Sequence, residues 1–231
     1  MANVTIDALM TNGGANGANS GLAYAYNTTS GTSMSTTGMT VGGSASLLTA
    51  ILTLNGNVAA PTCTWNGVPM ILAKAGSGAG AGAYTFTLVD PSPGNHILLA
   101  SWAGSYQGYL SSTSWLNTDT VNGYKVADSV SGYSTATGAQ SVPINTDSTG
   151  ATLCILGNNG GTPSATSGTQ IFSSGLGGPN AAASYILGGS GANTHSFNGG
   201  GSSSAAAWAG IHVIAPLNSS GNQSSLLLGV G

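Results

Sequence analysis

Residues 61–102 read PTCTWNGVPMILAKAGSGAGAGAYTFTLVDPSPGNHILLASW, and this stretch decides the fold class. Thr62, Cys63, Thr64 and Trp65 alternate and run into Asn66-Gly67. That dipeptide is the strongest short hairpin signal, because a type I′ turn needs φ > 0 at both central residues. Residues 68–73 (VPMILA) are the returning strand, and residues 84–89 (YTFTLV) alternate large apolar side chains with threonine. Asp90-Pro91-Ser92-Pro93-Gly94-Asn95 is a turn with a mechanism: proline presets φ, glycine supplies φ > 0, and Asx side chains bond the backbone. Residues 96–102 (HILLASW) form the next strand. Between these strands, GSGAGAGA (76–83) has the composition of a flexible, low-complexity loop.

Outward from this stretch the same punctuation continues. Upstream, strands are expected over 3–9, 21–27, 39–41 and 44–55, with a Ser/Thr loop over 28–37. Leu47, Leu48, Ile51 and Leu52 have helical spacing, but the threonines among them and the neighbouring strands favour β. Downstream, strands are expected over 106–115, 123–130, 139–144 and 151–156. From 157 to 204 the chain is rich in glycine, serine and asparagine, and only 169–172 and 182–187 stand out. Residues 205–215 close the domain before Pro216. About a dozen strands and no helix predict an all-β, antiparallel, jelly-roll-like β-sandwich with long Gly/Ser/Asn loops. Residues 46–216 are the sandwich, 1–45 are further strands of it or an assembly arm, and 217–231 are a tail.

Composition restricts function. Two Lys, no Arg, five Asp and no Glu make 3% charged residues in 231, against about 25% in an ordinary chain. Lys74 and Lys125 cannot neutralise a run of phosphates, which excludes nucleic acid, and cannot hold an anionic membrane. No apolar run reaches the ~18 residues of a spanning helix. A hydrophobic content of 41% with a net charge of only −3 argues against disorder. MANVTIDALM lacks the basic and apolar regions of a secretory signal, so the expectation is either a fragment or release by another route, as for a virion protein freed by lysis or a secretion that reads no N-terminal signal.

The residues also suggest a family. Cys63-Thr64-Trp65-Asn66-Gly67, then Asp90-Pro91, Pro93-Gly94-Asn95-His96, then a closing strand with Trp208 and Pro216 resemble a β-sandwich (jelly-roll or immunoglobulin-like) domain. That domain recurs in phage structural proteins and in bacterial surface proteins of unassigned function. The resemblance spans residues 46–216. Its motifs are turn and core motifs, so it implies architecture and an extracellular or virion setting, and no catalytic residues.

Candidate chemistry is sparse. His96, His195 and His212 lie respectively after a turn, in a glycine-rich loop and in the closing strand, and no GxSxG elbow accompanies them. Asp7, Asp90, Asp119, Asp128 and Asp147 are the carboxylates, most in turn contexts, and a glycosidase would need two of them across one cleft. No calcium loop, phosphate loop or zinc spacing is present, so no metal and no cofactor is expected. Cys63 and Cys154 lie in strands and allow one disulfide, although two buried free thiols are the plainer expectation. Tyr106, Tyr109 and Trp115 are the aromatics that could face a glycan, whereas Trp65, Trp102 and Trp208 fall in apolar strands and read as core. Leu226, Leu227, Leu228 and Val230 in SSLLLGVG would be an association hazard in water, so they are expected to dock, preferably on a neighbouring subunit. The expected function is a non-enzymatic assembly protein on a virion surface: capsid decoration, head surface or fibre. It would partner copies of itself and neighbouring virion proteins. A glycan-binding or adhesive module on a bacterial cell surface is the alternative.

Overall fold

The structure is a computed structural model, and it describes residues 3–11, 13–15, 21–78, 80–135, 138–175, 180–198 and 206–216. In chain order the strands are β1 (Thr5–Leu9), β2 (Ala25–Tyr26), β3 (Gly31–Ser35), β4 (Met39–Val41), β5 (Leu47–Leu54), β6 (Thr62–Trp65) and β7 (Val68–Pro69). Next come β8 (Ile71–Gly78), β9 (Ala81–Val89), β10 (Gly94–His96), β11 (Leu98–Tyr106), β12 (Gly108–Leu116) and β13 (Tyr124–Ser134). The last are β14 (Gln140–Thr146), β15 (Ala151–Asn158), β16 (Ser164–Ala165), β17 (Thr169–Ser174), β18 (Asn180–Leu187), β19 (Gly191–Asn198) and β20 (Ala206–Val213). The fold is all-β and sandwich-like. Twenty strands and no helix lie among the described residues, and their ladders are antiparallel.

The strands stack in four layers. Two central sheets, β1-β12-β5-β9-β8 (with β2 also on β12) and β13-β20-β15-β18-β17, face each other. The sheet β3-β11-β6-β7 and the β4–β10 pair cover the outer side of the first, and β14-β19-β16 covers the second. Three apolar cores result. Leu47, Ile51, Tyr109 and Trp115 meet Leu153, Ile155 and Ile211 in the middle. Leu48, Leu52 and Phe86 meet Trp65, Leu98 and Trp102 on one side, and Leu156 and Ala182 meet Ile144 and Phe197 on the other. Central strands such as β5 and β15 are therefore buried at every position.

The glycine–alanine run explains how the central sheets approach. It is the hairpin of β8 and β9, not a loop, paired from Ile71↔Thr87 to Gly78↔Ala81. Ala81 and Ala83 face Ala181, Ala183, Ala207 and Ala209 in the middle core. A Cβ on Gly76 would meet the carbonyl oxygens of Trp208 and Gly132 on β20 and β13, the second at 2.7 Å. Sheets with larger facing side chains pack about 10 Å apart. Here the backbones come close enough for Thr85 Oγ1 to donate to the Ala209 carbonyl across the interface at 3.3 Å.

Other expectations are corrected as well. Residues 28–37 contain β3, which pairs with β11 because Trp102 Nε1 ties down the Gly31 carbonyl at 2.8 Å. The expected strand over 106–115 is divided at Gln107 between β11 and β12. The glycine-rich region after 157 holds two further strands, β16 and β19. Residues 1–45 supply β1 to β4, each paired with a strand from the region 46–216. The Asn66-Gly67 turn is as expected, with φ of 50° and 79° joining Trp65↔Val68.

Candidate interaction surface

The sequence singles out titratable groups that the fold then commits to structure. His195 is on β19, fully buried and not in a loop, with Nδ1 2.7 Å from Ser184 Oγ and Nε2 2.8 Å from Thr152 Oγ1. Burial pushes its pKa down to about 4, so the ring is neutral. A serine and a histidine thus meet at hydrogen-bond distance, but both are sealed in the outer core and can reach no substrate. His96 caps its own turn on the Pro93 carbonyl and stands edge-on to Trp65. Asp119 Oδ1 accepts from Val121 N and Asn122 N, and Asp7 accepts from Gly42 N and Ser114 Oγ. Among the described residues no group of three or more His, Cys, Asp or Glu is disposed to hold a metal.

Two aspartates do converge, on buried His212. Asp128 Oδ2 lies 3.3 Å from its Nδ1 and Asp147 Oδ2 lies 3.7 Å from its Nε2, while Lys125 Nζ reaches Asp128 Oδ2 at 2.7 Å. The Lys125 hydrogen bond holds the Asp128 carboxyl below its usual range. Burial pushes the Asp147 carboxyl up, and hydrogen bonds from Thr149 and Gly150 outweigh it, so the net shift is downward. Lys125, Asp128, Asp147 and His212 thus form one cluster. It fixes a bulge: β13 follows β20 at Tyr124↔Val213 and Lys125↔His212, then leaves the ladder until Val130↔Gly210. Ser129 Oγ closes the bulge on the Lys125 carbonyl at 2.7 Å.

The bulge turns Val126 into solvent, where it is 62% exposed. Beside it, the Asp119 turn displays Val121 at 81% and β8 displays Ile71 at 64%. These three line one groove of about 370 Å³, floored by Leu88, Val89 and Tyr124. Val68, also exposed, adjoins Pro69 on its rim. Single exposed aliphatics are ordinary, but several around one concavity mark a contact surface. No charged side chain lines it.

Comparisons with known proteins add little. No protein-family model matches the chain, and no curated protein matches it. Among solved structures, a conserved protein of unknown function from Pseudomonas aeruginosa (PA5104) is similar over 79% of this chain and 76% of its own, at 11% identity and a TM-score of 0.31. HutD from Pseudomonas fluorescens is similar over 82% of this chain and 77% of its own, at 10% identity and a TM-score of 0.25. Scores this low carry no argument about function.

The aromatic platform expected for a glycan is dismantled by the fold. Tyr109 and Trp115 are fully buried in the middle core, Tyr109 among Tyr24, Tyr26 and Phe172, and Trp115 donating to Thr49 Oγ1 at 3.0 Å. Tyr106 is half-buried, its ring against Gly56 and Gly104, where a Cβ would collide with it. The possible disulfide is absent, and the plainer expectation of two buried free thiols is what the structure holds. Cys63 and Cys154 are free and lie in different outer cores, with the two central sheets between them. Leu226, Leu227, Leu228 and Val230 lie outside the described residues. Ile71, Val121 and Val126 were not singled out by sequence. The only available signal was Val121, an aliphatic inside the turn sequence DTVNG (119–123).

Proposed function

We propose that this chain is a non-enzymatic structural protein that works by associating with copies of itself. Within that class, our reading is a phage virion accessory protein. The observation that carries self-association is the uncharged groove displaying Ile71, Val121 and Val126, on a chain with a net charge of only −3 to hold copies apart. The roles of the titratable groups support the reading: His195 is sealed, and Asp128, Asp147 and Lys125 brace a bulge. The virion setting rests on the low charge and the family resemblance. Sedimentation of the purified full chain over a range of concentrations tests the class. A defined oligomer of two or more copies is expected, and a monomer throughout would refute it.

A second reading, glycan binding, has one specific observation in its favour. A groove of about 350 Å³ is lined by Asn27, Thr29, Ser30, Ser33 and Ser35, with Met34. Its exposed hydroxyls suit sugar hydroxyls, but no aromatic ring lines the groove, and the Asn27 amide is taken up by Gly108 N and the Tyr106 carbonyl. Binding on a glycan array that is lost in Thr29→Ala and Ser33→Ala would establish this reading, and an empty array would remove it.

A further inference from the structure

We infer that the occupant of the apolar groove is the segment Leu226–Val230 of a second copy of this chain, exchanged reciprocally across a two-fold axis. The inference rests on the self-association proposed above and names its contact. The first argument is where the described chain leaves the fold. Ile214 N donates to the Gly123 carbonyl at 3.1 Å, and Asp119 N donates to the Ile214 carbonyl at 2.8 Å. The chain therefore departs beside the 119–123 turn, whose Val121 and Asn122 line the groove. Exit and groove adjoin, so a two-fold axis at this rim places each exit next to the partner's groove.

Length and chemistry agree with this placement. Residues 217–225 (LNSSGNQSS) are nine mostly polar residues, which extend to roughly 30 Å. They are followed by LLLGV, the one apolar run of the segment, with no charge in either. Branched aliphatics such as Ile71, Val121 and Val126 match leucine and valine, and an uncharged groove imposes no cost of burying an unpaired ion. A second copy fits better than the chain's own segment for two reasons. Exposed Val68 stands on the rim beyond the groove, where the body of a second copy can cover it and the segment lying in the groove does not. In addition, a two-fold pair uses the same contact twice, doubling the area it buries.

The test uses the full chain with a photo-crosslinking amino acid in place of Leu227, mixed from isotopically light and heavy preparations. The expected result is light–heavy crosslinks that land on residues 69–71 or 121–126. Serine at Leu226, Leu227, Leu228 and Val230 together should weaken association by about a hundredfold or more, given the transfer free energy of buried aliphatic side chains. Because those positions follow β20, circular dichroism checked alongside should show an unchanged fold, and any fall in melting temperature should be no more than the lost association accounts for. An oligomer that forms with unchanged affinity in the serine variant overturns this inference and leaves self-association standing. Crosslinks within single chains also overturn it. A wild-type chain that is monomeric removes both.

Discussion

Burial keeps the His195 ring neutral, and the Ser184 and Thr152 hydroxyls, each able to donate or accept, satisfy its two nitrogens. Its pKa falls from 6.5 in an unfolded chain to about 4 in the fold. Between those values the unfolded chain binds the extra proton, so stability is full above pH 6.5 and is lost as pH falls towards 4, by about 3 kcal/mol in all. Melting temperature should therefore drop between pH 7 and pH 4.5. In His195→Gln, less stable at pH 7, that part of the drop should vanish. A variant with the wild-type pH profile would contradict this account. The aspartates act lower: Asp128 and Asp147 have depressed pKa values, so their contribution is present above 3.8 and lost only below it. The thiols give a second prediction at this scale. Burial pushes Cys63 up to about 12 and raises Cys154 as well. Both should resist a thiol reagent in the native protein and both should react after unfolding without reductant, whereas a missing thiol would point to a disulfide.

The pairing of β8 with β9 shows which elements sequence could and could not reveal. Asn66-Gly67 dictates a turn by its backbone preference alone, so the β6–β7 hairpin was legible. GSGAGAGA reads as a loop because small residues signal loop flexibility and close sheet packing equally well, and only the opposite surface of alanines on β18 and β20 decides between them. β12 is legible as a strand over 106–115, but its burial is not. Its Ser111, Ser112, Thr113 and Ser114 look solvent-facing but are buried, with Ser111 Oγ bonding the Ala23 carbonyl and Ser114 Oγ bonding Asp7. β19 carries little apolar signal because one inward position is His195. The groove was illegible because its walls come from strands far apart in sequence. Close approach makes Gly76→Ala the decisive substitution: its Cβ meets backbone, which cannot swing away, so the sheets must part. Chemical denaturation should show a loss of about 2–3 kcal/mol, in the range of overpacked cores. Gly43→Ala, with nothing within 4 Å, should be near neutral. Equal effects at both positions would contradict a tight sheet interface.

The whole molecule is four β layers bearing seven charged side chains. Three of the seven, Lys125, Asp128 and Asp147, gather around His212 to brace the bulge that displays Val126. A surface of serine, threonine, asparagine and glycine stays wet without repelling a second copy. Association through an uncharged groove should accordingly change little between low and high salt, unlike a contact made by ion pairs. A marked loss of mass on adding salt would count against the groove. The most direct measurement is the sedimentation mass of the full chain beside Val121→Asp and Val126→Asp. Each substitution places a carboxylate on an exposed wall of the groove, where folding has little at stake and a partner would have to bury the charge. The account predicts an oligomer for the wild type and folded monomers for both variants. The same oligomer in all three would contradict it.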